Sequence, residues 1–457
     1  MNRRELLSHL TLGSAYLAAA MNVKAASSSG LSPDSASTST QHKSPSQRAP
    51  KSFVDPISGH TIIRLSEQDN TRALYFHDNA FTHDSRYVVM DAPDGIGLYD
   101  FTTQQYKTLA SGKFEVIMVS RKKPICYARK ILTENYTGKD NGNIFDHIEY
   151  VAIEIPSGKT KSLGIFPKGF ITTVNADDTL MAGAFSSRFY ELQPGPKLEH
   201  TDGGYNALDK NGKPLSFAAA KEVRMADRLA QNIPMEIFTI NIETGERKVV
   251  TASNDWLNHV QFSPTDPHQL MYCHEGPWHM VDRIWTIRTD GSQKQSIHSR
   301  SMNMEIAGHE FFSYDGKTIY YDLQTPRGEK FWLSTYHLET KKRVWYHLER
   351  DEWSVHFQIS PDGKMLAGDG GDHEMVAQAR DGKYLYLFEP TLIEDLGVSA
   401  PNAEALVRPG KLHSKKLVDM GKHDYRVEPN VQFSPDQKYL VFRSNMHGAI
   451  HTYAVVL

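Results

Sequence analysis

The stretch Gln358-Ile359-Ser360-Pro361-Asp362-Gly363-Lys364 decides the fold. An alternating strand runs into Ser-Pro-Asp-Gly, where proline presets φ and aspartate and glycine tolerate a tight corner, and a second strand follows. The unit returns as Val260-Gln261-Phe262-Ser263-Pro264-Thr265-Asp266, as Phe311-Phe312-Ser313-Tyr314-Asp315-Gly316-Lys317 and as Gln432-Phe433-Ser434-Pro435-Asp436-Gln437-Lys438. Weaker copies are Ala80-Phe81-Thr82-His83-Asp84 and Val174-Asn175-Ala176-Asp177-Asp178. Some twenty to thirty residues after a unit comes a hairpin signal, as in Asn241-Ile242-Glu243-Thr244-Gly245-Glu246, Arg288-Thr289-Asp290-Gly291 and His337-Leu338-Glu339-Thr340. Four short strands in a repeat of roughly 45 residues mark a β-propeller blade.

Six repeat starts are visible, and residues 101–160 leave room for one more with a poorer turn. The expected fold is therefore all-β, a seven-bladed β-propeller. From Asn430 to Leu457 the chain supplies about three strands, so Thr61-Ile62-Ile63-Arg64-Leu65 is expected to complete the final blade. That closure removes an exposed sheet edge. Lys221–Gln231 has helical character, and Pro390–Lys415 reads as a long irregular loop; both are expected to decorate the rim.

The bulk numbers narrow the function class. Of 457 residues, 39% are hydrophobic and 23% charged, which suits a substantial core. The formal charge of −3 offers no basic field for nucleic acid. Cys126 and Cys273 fall in different repeats, so no disulfide framework is expected. Arg3-Arg4 before a mild apolar run from Leu10 to Met21, with Val23-Lys24-Ala25 as a cleavage position, reads as a twin-arginine export signal over 1–25. The run is too short for a comfortable membrane span. Residues 26–50, rich in Ser, Thr, Gln and Pro, read as a linker, 51–457 as one propeller domain, and the mature protein as periplasmic with no membrane attachment. No nucleophile elbow, P-loop, H-E-x-x-H or dinucleotide fingerprint is present.

Aligning the repeats on the turn brings chemistry into view. His259, His309 and His356 each stand three residues before the turn-entry apolar residue, and Asn430 takes that place in the last repeat. Each begins the innermost strand of its blade, so pseudo-symmetry gathers them at one mouth of the central channel. The antiparallel second strand returns Cys273-His274-Glu275-Gly276-Pro277 to the same face, followed by Arg283, and in the next two blades Asp322-Leu323-Gln324 and Asp369-Gly370-Gly371-Asp372. His268, His298, His337, His347, His413 and His451 sit in turns or outer strands and are expected at the surface. The tryptophans are expected mostly in core or rim packing, with Trp278 beside the mouth.

The runs Cys273-His274-Glu275-Gly276-Pro277, Val281-Asp282-Arg283-Ile284-Trp285, Gly308-His309-Glu310-Phe311-Phe312, Ser354-Val355-His356 and Gly368-Asp369-Gly370-Gly371-Asp372 resemble the oligogalacturonate lyase family of seven-bladed propellers. The likeness is good over about 240–457 and loose in the first blades. It implies β-elimination on short oligogalacturonates, with His309 as base, Arg283 as clamp for the substrate carboxylate and His356 as one ligand of a manganese site. The family's other ligands, a Gln and two His, fall here at Tyr425, Glu428 and Asn430; Glu428 and Asn430 still offer oxygens suited to Mn²⁺, and His423 lies near enough to compensate. His274, Glu275, His259 and Gln324 are the remaining residues expected to touch the sugar. The residue types suit the chemistry. Removing a proton α to a carboxylate builds up negative charge that a guanidinium and a divalent ion stabilise. An imidazole, with an ordinary pKa of ~6.5, is a fitting base near neutral pH. Two other readings fit the same chain: a non-catalytic periplasmic propeller that binds a sugar or protein, and a lyase for a different uronate, suggested by the altered metal positions.

Overall fold

The computed structural model describes residues 49–132, 144–187, 209, 211–213, 215, 217–373, 377–394 and 400–457. The expected signal at 1–25 and nearly all of the linker lie outside the described residues. The architecture is all-β: six sheets, with one α-helix among the described residues, Phe217–Ala230. Four sheets follow chain order by antiparallel neighbours. They are Tyr87–Ala92 to Gln105–Ser111, Phe114–Val119 to Thr160–Ile165, Phe170–Val174 to Arg247–Ser253, and Trp256–Phe262 to Gln295–Ser296. An eight-stranded sheet joins two antiparallel halves, Ile306–Leu348 and Phe357–Asp419, through a parallel seam in which Val344 pairs Arg408 and His347 pairs Lys411.

The sixth sheet carries the closure expected from sequence. Thr61–Arg64 pairs with Ala449–Val456 in the register Ile62 to Val455 and Arg64 to Tyr453, and Ser52–Val54 adds a further strand outside it. The apolar packing between sheets is likewise circular. Val441 and Ala454 of the closing sheet pack with Val89 and Leu98 of the first, and later clusters join each sheet to the next. Ala367 and Leu385 then pack with Phe442 and Tyr453, back at the closing sheet.

The repeated turns hold for one physical reason. Ser360 donates its hydroxyl to Asp362 Oδ1 at 2.8 Å and accepts the amide of Met365 at 3.0 Å. Ser313 with Asp315 and Ser434 with Asp436 repeat the pattern at 2.6 and 2.7 Å. The fourth turn position needs a left-handed backbone, so Gly363 and Gly316 sit there at φ 74° and 71°. The weak copy at Ala80–Asp84 forms its turn, with Thr82 donating to Asp84 at 2.6 Å, but its strand is reduced to the single bridge from Phe81 to Val88.

Two insertions differ from expectation in detail. The helix begins earlier than Lys221; it ends where Asn232 takes a left-handed φ of 47° and donates its amide to the Leu229 carbonyl, a C-terminal stop. The stretch 390–415 is not irregular throughout. Tyr384–Leu392 and Arg408–Asp419 form a long hairpin, leaving 393–394 and 400–407 of the described residues outside strands. Cys126 and Cys273 are both free and buried. Among the described residues no helix is long and apolar enough to cross a membrane.

Candidate active site

His259, His309 and Asn430 share a backbone feature as well as an offset: φ is 48°, 46° and 54°. A β-branched or bulky residue is costly in this region, and such a residue inside a strand marks a bulge that re-aims its side chain. The ladders slip there, between Asn258 and Gln261 and between Gly308 and Phe311. Gly308 also clears space, since a Cβ on it would stand 3.3 Å from Asp322 Oδ1.

That carboxylate is the partner of the expected base. His309 Nδ1 lies 2.7 Å from Asp322 Oδ1. An ionised carboxylate only accepts, so Nδ1 carries the proton and Nε2 is left as the acceptor. His356 repeats the device one unit on: its Nδ1 is 2.7 Å from Asp369 Oδ2, and its backbone amide donates to Oδ1 of the same group at 2.8 Å. Burial works against a charge on His356, but Asp369 and Glu428 outweigh it and raise its pKa. Its Nε2 is buried with no hydrogen-bond partner, and Glu428 Oε2 stands 4.0 Å away.

Arg283 is held between two buried carboxylates. Nη1 donates to Glu275 Oε1 at 2.6 Å and Nε to Glu310 Oε2 at 3.0 Å. Burial disfavours its charge, yet the acidic groups Cys273, Glu275 and Glu310 around it keep its pKa well above the ordinary value. Glu310 is lowered: burial raises it, and Arg283 and His259 more than reverse that. Nη2 is the guanidinium nitrogen left to meet a ligand.

Ring contacts link these groups. His309 and His356 are 5.0 Å apart edge to face, Tyr75 is 5.2 Å from His356 and 6.1 Å from His259, and His259 Nε2 is 3.4 Å from Glu275 Oε2. The circuit closes through Arg283 and Glu310, next in sequence to His309. Trp278 meets His309 edge-on at 6.1 Å. The mouth expected from repeat symmetry thus gathers His259, Glu275, Arg283, His309, His356 and Glu428.

Several expected residues are turned away from the mouth or already engaged within the protein. His274 lies on the opposite face of its strand from Cys273 and Glu275, beside Tyr272 and Trp285, with Nδ1 3.1 Å from Asp255, because successive strand side chains alternate. Gln324 is buried and its carbonyl oxygen accepts the amide of Gly328 at 2.8 Å, stitching a turn. His423 spends both ring nitrogens inside the protein, on Ser444 Oγ at 2.9 Å and the Val427 carbonyl at 2.7 Å, and so has none left for a metal; burial lowers its pKa to about 3. Asn430 accepts the Phe76 amide at 3.1 Å and donates to the Glu428 carbonyl at 3.1 Å. Tyr425 is a core residue whose hydroxyl donates to the Asp369 carbonyl at 2.8 Å. Of the histidines expected at the surface, His298 and His451 are buried, the first between Tyr321 and Glu305, the second against Ser66.

The segment Leu74–Asp78 has no counterpart in the sequence reading. Gln358 donates to the Phe76 carbonyl at 2.8 Å, and Gln432 donates to those of Tyr75 and Asp78 at 2.7 and 2.9 Å. Fully buried Phe76 packs on Phe311 and His356. The one available signal was its composition, Tyr75-Phe76-His77 ahead of the first repeat.

A family model described as oligogalacturonate lyase matches residues 225–457. The oligogalacturonate lyase of Dickeya dadantii (strain 3937) is 26% identical over 418 residues, 87% of this chain and 93% of that protein. An oligogalacturonide lyase of Pectobacterium atrosepticum is 26% identical over 225 residues, 46% of this chain, and the match spans about half (53%) of that relative. Among solved structures, an oligogalacturonate lyase from Vibrio parahaemolyticus superposes with a TM-score of 0.65 at 19% identity, covering 89% of this chain and 96% of its own. A second, an oligogalacturonate lyase in complex with manganese, gives 0.64 at 19%, covering 89% and 95%.

Proposed function

The chain belongs to the oligogalacturonate lyase family, and from that premise we propose that it cleaves short oligogalacturonates by β-elimination in a seven-bladed β-propeller. Six sheets, one of them two four-stranded halves, support the blade count. The observation that carries the activity is the Asp322-oriented His309 in the same mouth as a buried guanidinium.

Asp322 holds the tautomer in which His309 Nε2 is the free base. That nitrogen takes the proton from the carbon bearing the carboxylate. The released electron pair forms the double bond to the neighbouring carbon; the bond from that carbon to the glycosidic oxygen breaks, and the oxygen keeps its electrons and takes a proton from water to leave as a sugar hydroxyl. Arg283, through Nη2, binds the carboxylate and opposes the charge that builds on it. Glu275 and Glu310 fix the guanidinium plane, so no reorganisation is needed during reaction. Tyr75 packs edge-on against His356 and Trp278 against His309.

The donor set also suits a divalent ion. His356 Nε2, buried and orphaned, faces a carboxylate at 4.0 Å, and imidazole with carboxylate oxygen is a fitting pair for Mn²⁺. His356 and Glu428 would hold it, and when bound it supplies Lewis-acid stabilisation of the substrate carboxylate. Arg3-Arg4 and the apolar run after it support a periplasmic location.

The test is to incubate the mature protein with di- and trigalacturonate and follow the ultraviolet absorbance of the unsaturated uronate. His309→Ala is expected to abolish it; full activity in that variant removes the proposed base. Binding without any product in the wild type supports the scaffold reading instead.

A further inference from the structure

A second set of ligating atoms lies beside Arg283. His259, Cys273 and Glu275 each present one donor, all within 4.8 Å of one another. Their spacing can be compared with metal geometry. With bonds of ~2.0 Å to nitrogen and oxygen and ~2.3 Å to sulfur, tetrahedral angles place N and O roughly 3.3 Å apart and S and O roughly 3.5 Å apart. Here His259 Nε2 is 3.4 Å from Glu275 Oε2, and Cys273 Sγ is 3.6 Å from the same oxygen. Two edges of the tetrahedron are already drawn, with a shared carboxylate vertex.

Charge favours a cation there. Glu275 and Glu310 are buried against the single guanidinium of Arg283, and Glu310 Oε1 has no hydrogen-bond partner. Two buried carboxylates thus face one guanidinium and the His259 imidazole. A divalent ion that also takes the Cys273 proton leaves two carboxylates, a thiolate, a guanidinium and a dication, which is neutral. Access exists as well: the His259 side chain is 26% exposed at the mouth, while the thiol lies behind it.

We propose that His259, Cys273 and Glu275 form a binding site for a thiophilic divalent cation, of the Zn²⁺ class, separate from the His356–Glu428 pair. A thiolate with imidazole selects such an ion over Mn²⁺. Glu275 can serve both partners, because Oε1 holds Arg283 and Oε2 faces the trio. The site stands independently of the lyase reading, since none of its three residues is the base. Burial pushes the Cys273 thiol well above its ordinary range, so binding must release a proton and tighten as pH rises.

The test uses the chelator-stripped protein with Zn²⁺ followed by calorimetry and Co²⁺ followed by absorption. Expected are one tight Zn²⁺ site and, with Co²⁺, a thiolate-to-metal charge-transfer band with intense tetrahedral ligand-field bands. Both should persist in Glu428→Gln, which disables the other pair, and in Cys126→Ser, which removes the unrelated thiol. Cys273→Ser should lose the band and weaken Zn²⁺ at least 100-fold, and His259→Gln should weaken it at least tenfold. Co²⁺ bound without a thiolate band, or unchanged Zn²⁺ affinity in folded Cys273→Ser and His259→Gln, overturns the proposal. Neither result depends on whether uronate is cleaved.

Discussion

Asp322 sets which nitrogen of His309 is free, so its replacement should be felt in turnover more than in binding. In Asp322→Asn the amide can turn its N–H toward Nδ1, favouring the tautomer with a protonated Nε2. We expect kcat to fall by about 100-fold or more with KM little changed, as for loss of a general base; steady-state kinetics decide it. Arg283→Ala should cost stability as well as activity, because two buried carboxylates lose their common partner; breaking such a pair costs about 3–5 kcal/mol, read by urea denaturation. His423 gives a pH signature. Its folded pKa of about 3 lies below that of an unfolded histidine, so the unfolded chain binds the extra proton as pH falls. The stability it contributes is fully present above ~6.5 and drains away toward pH 3. His423→Asn should flatten that part of the acid-denaturation profile. His259, His309 and His356 were legible because they repeat at one offset. Tyr75 was not, since it lies on a segment that breaks the repeat pattern. His298 and His451 misled because an outer-strand position does not reveal that Glu305 or Ser66 will cover the ring.

At the scale of elements, the mouth depends on a short segment tied across it by side chains from distant strands. Gln432 Nε2 donates to the carbonyl of Asp78 and to that of Tyr75, which also accepts the Asp78 amide at 2.9 Å. Gln432→Ala is expected to lower stability by about 1–3 kcal/mol and to raise KM for oligogalacturonate, since Tyr75 loses its support; denaturation and kinetics together check it. Gln358 and Gln432 stand at the same repeat offset, two residues after the mouth position, so the holders were present in the pattern even though what they hold was not. The hairpin of Tyr384–Leu392 with Arg408–Asp419 shows the converse difficulty. Pro390 and Pro409 read as breaks, yet Pro390 pairs with Leu412 and Pro409 stands at the parallel seam opposite Trp345. Proline is tolerated where its missing donor is not asked for, which depends on the neighbouring strand and not on local sequence.

For the whole molecule, closure is the property that periodic turns foretold best. A final unit with too few strands and an early strand with no unit could satisfy each other, and Ile62 with Val455 does so. Excising residues 49–64 should therefore expose a long edge along Ala449–Val456; we expect a lower melting temperature and association into higher oligomers, seen by thermal denaturation and size-exclusion chromatography. What the periodicity does not convey is timing. Ser66 and His451 share a hydrogen bond across 385 positions. A ribosome must deliver nearly everything between them before the clasp can snap shut, so the leading residues wait, unmatched, through almost the whole of synthesis.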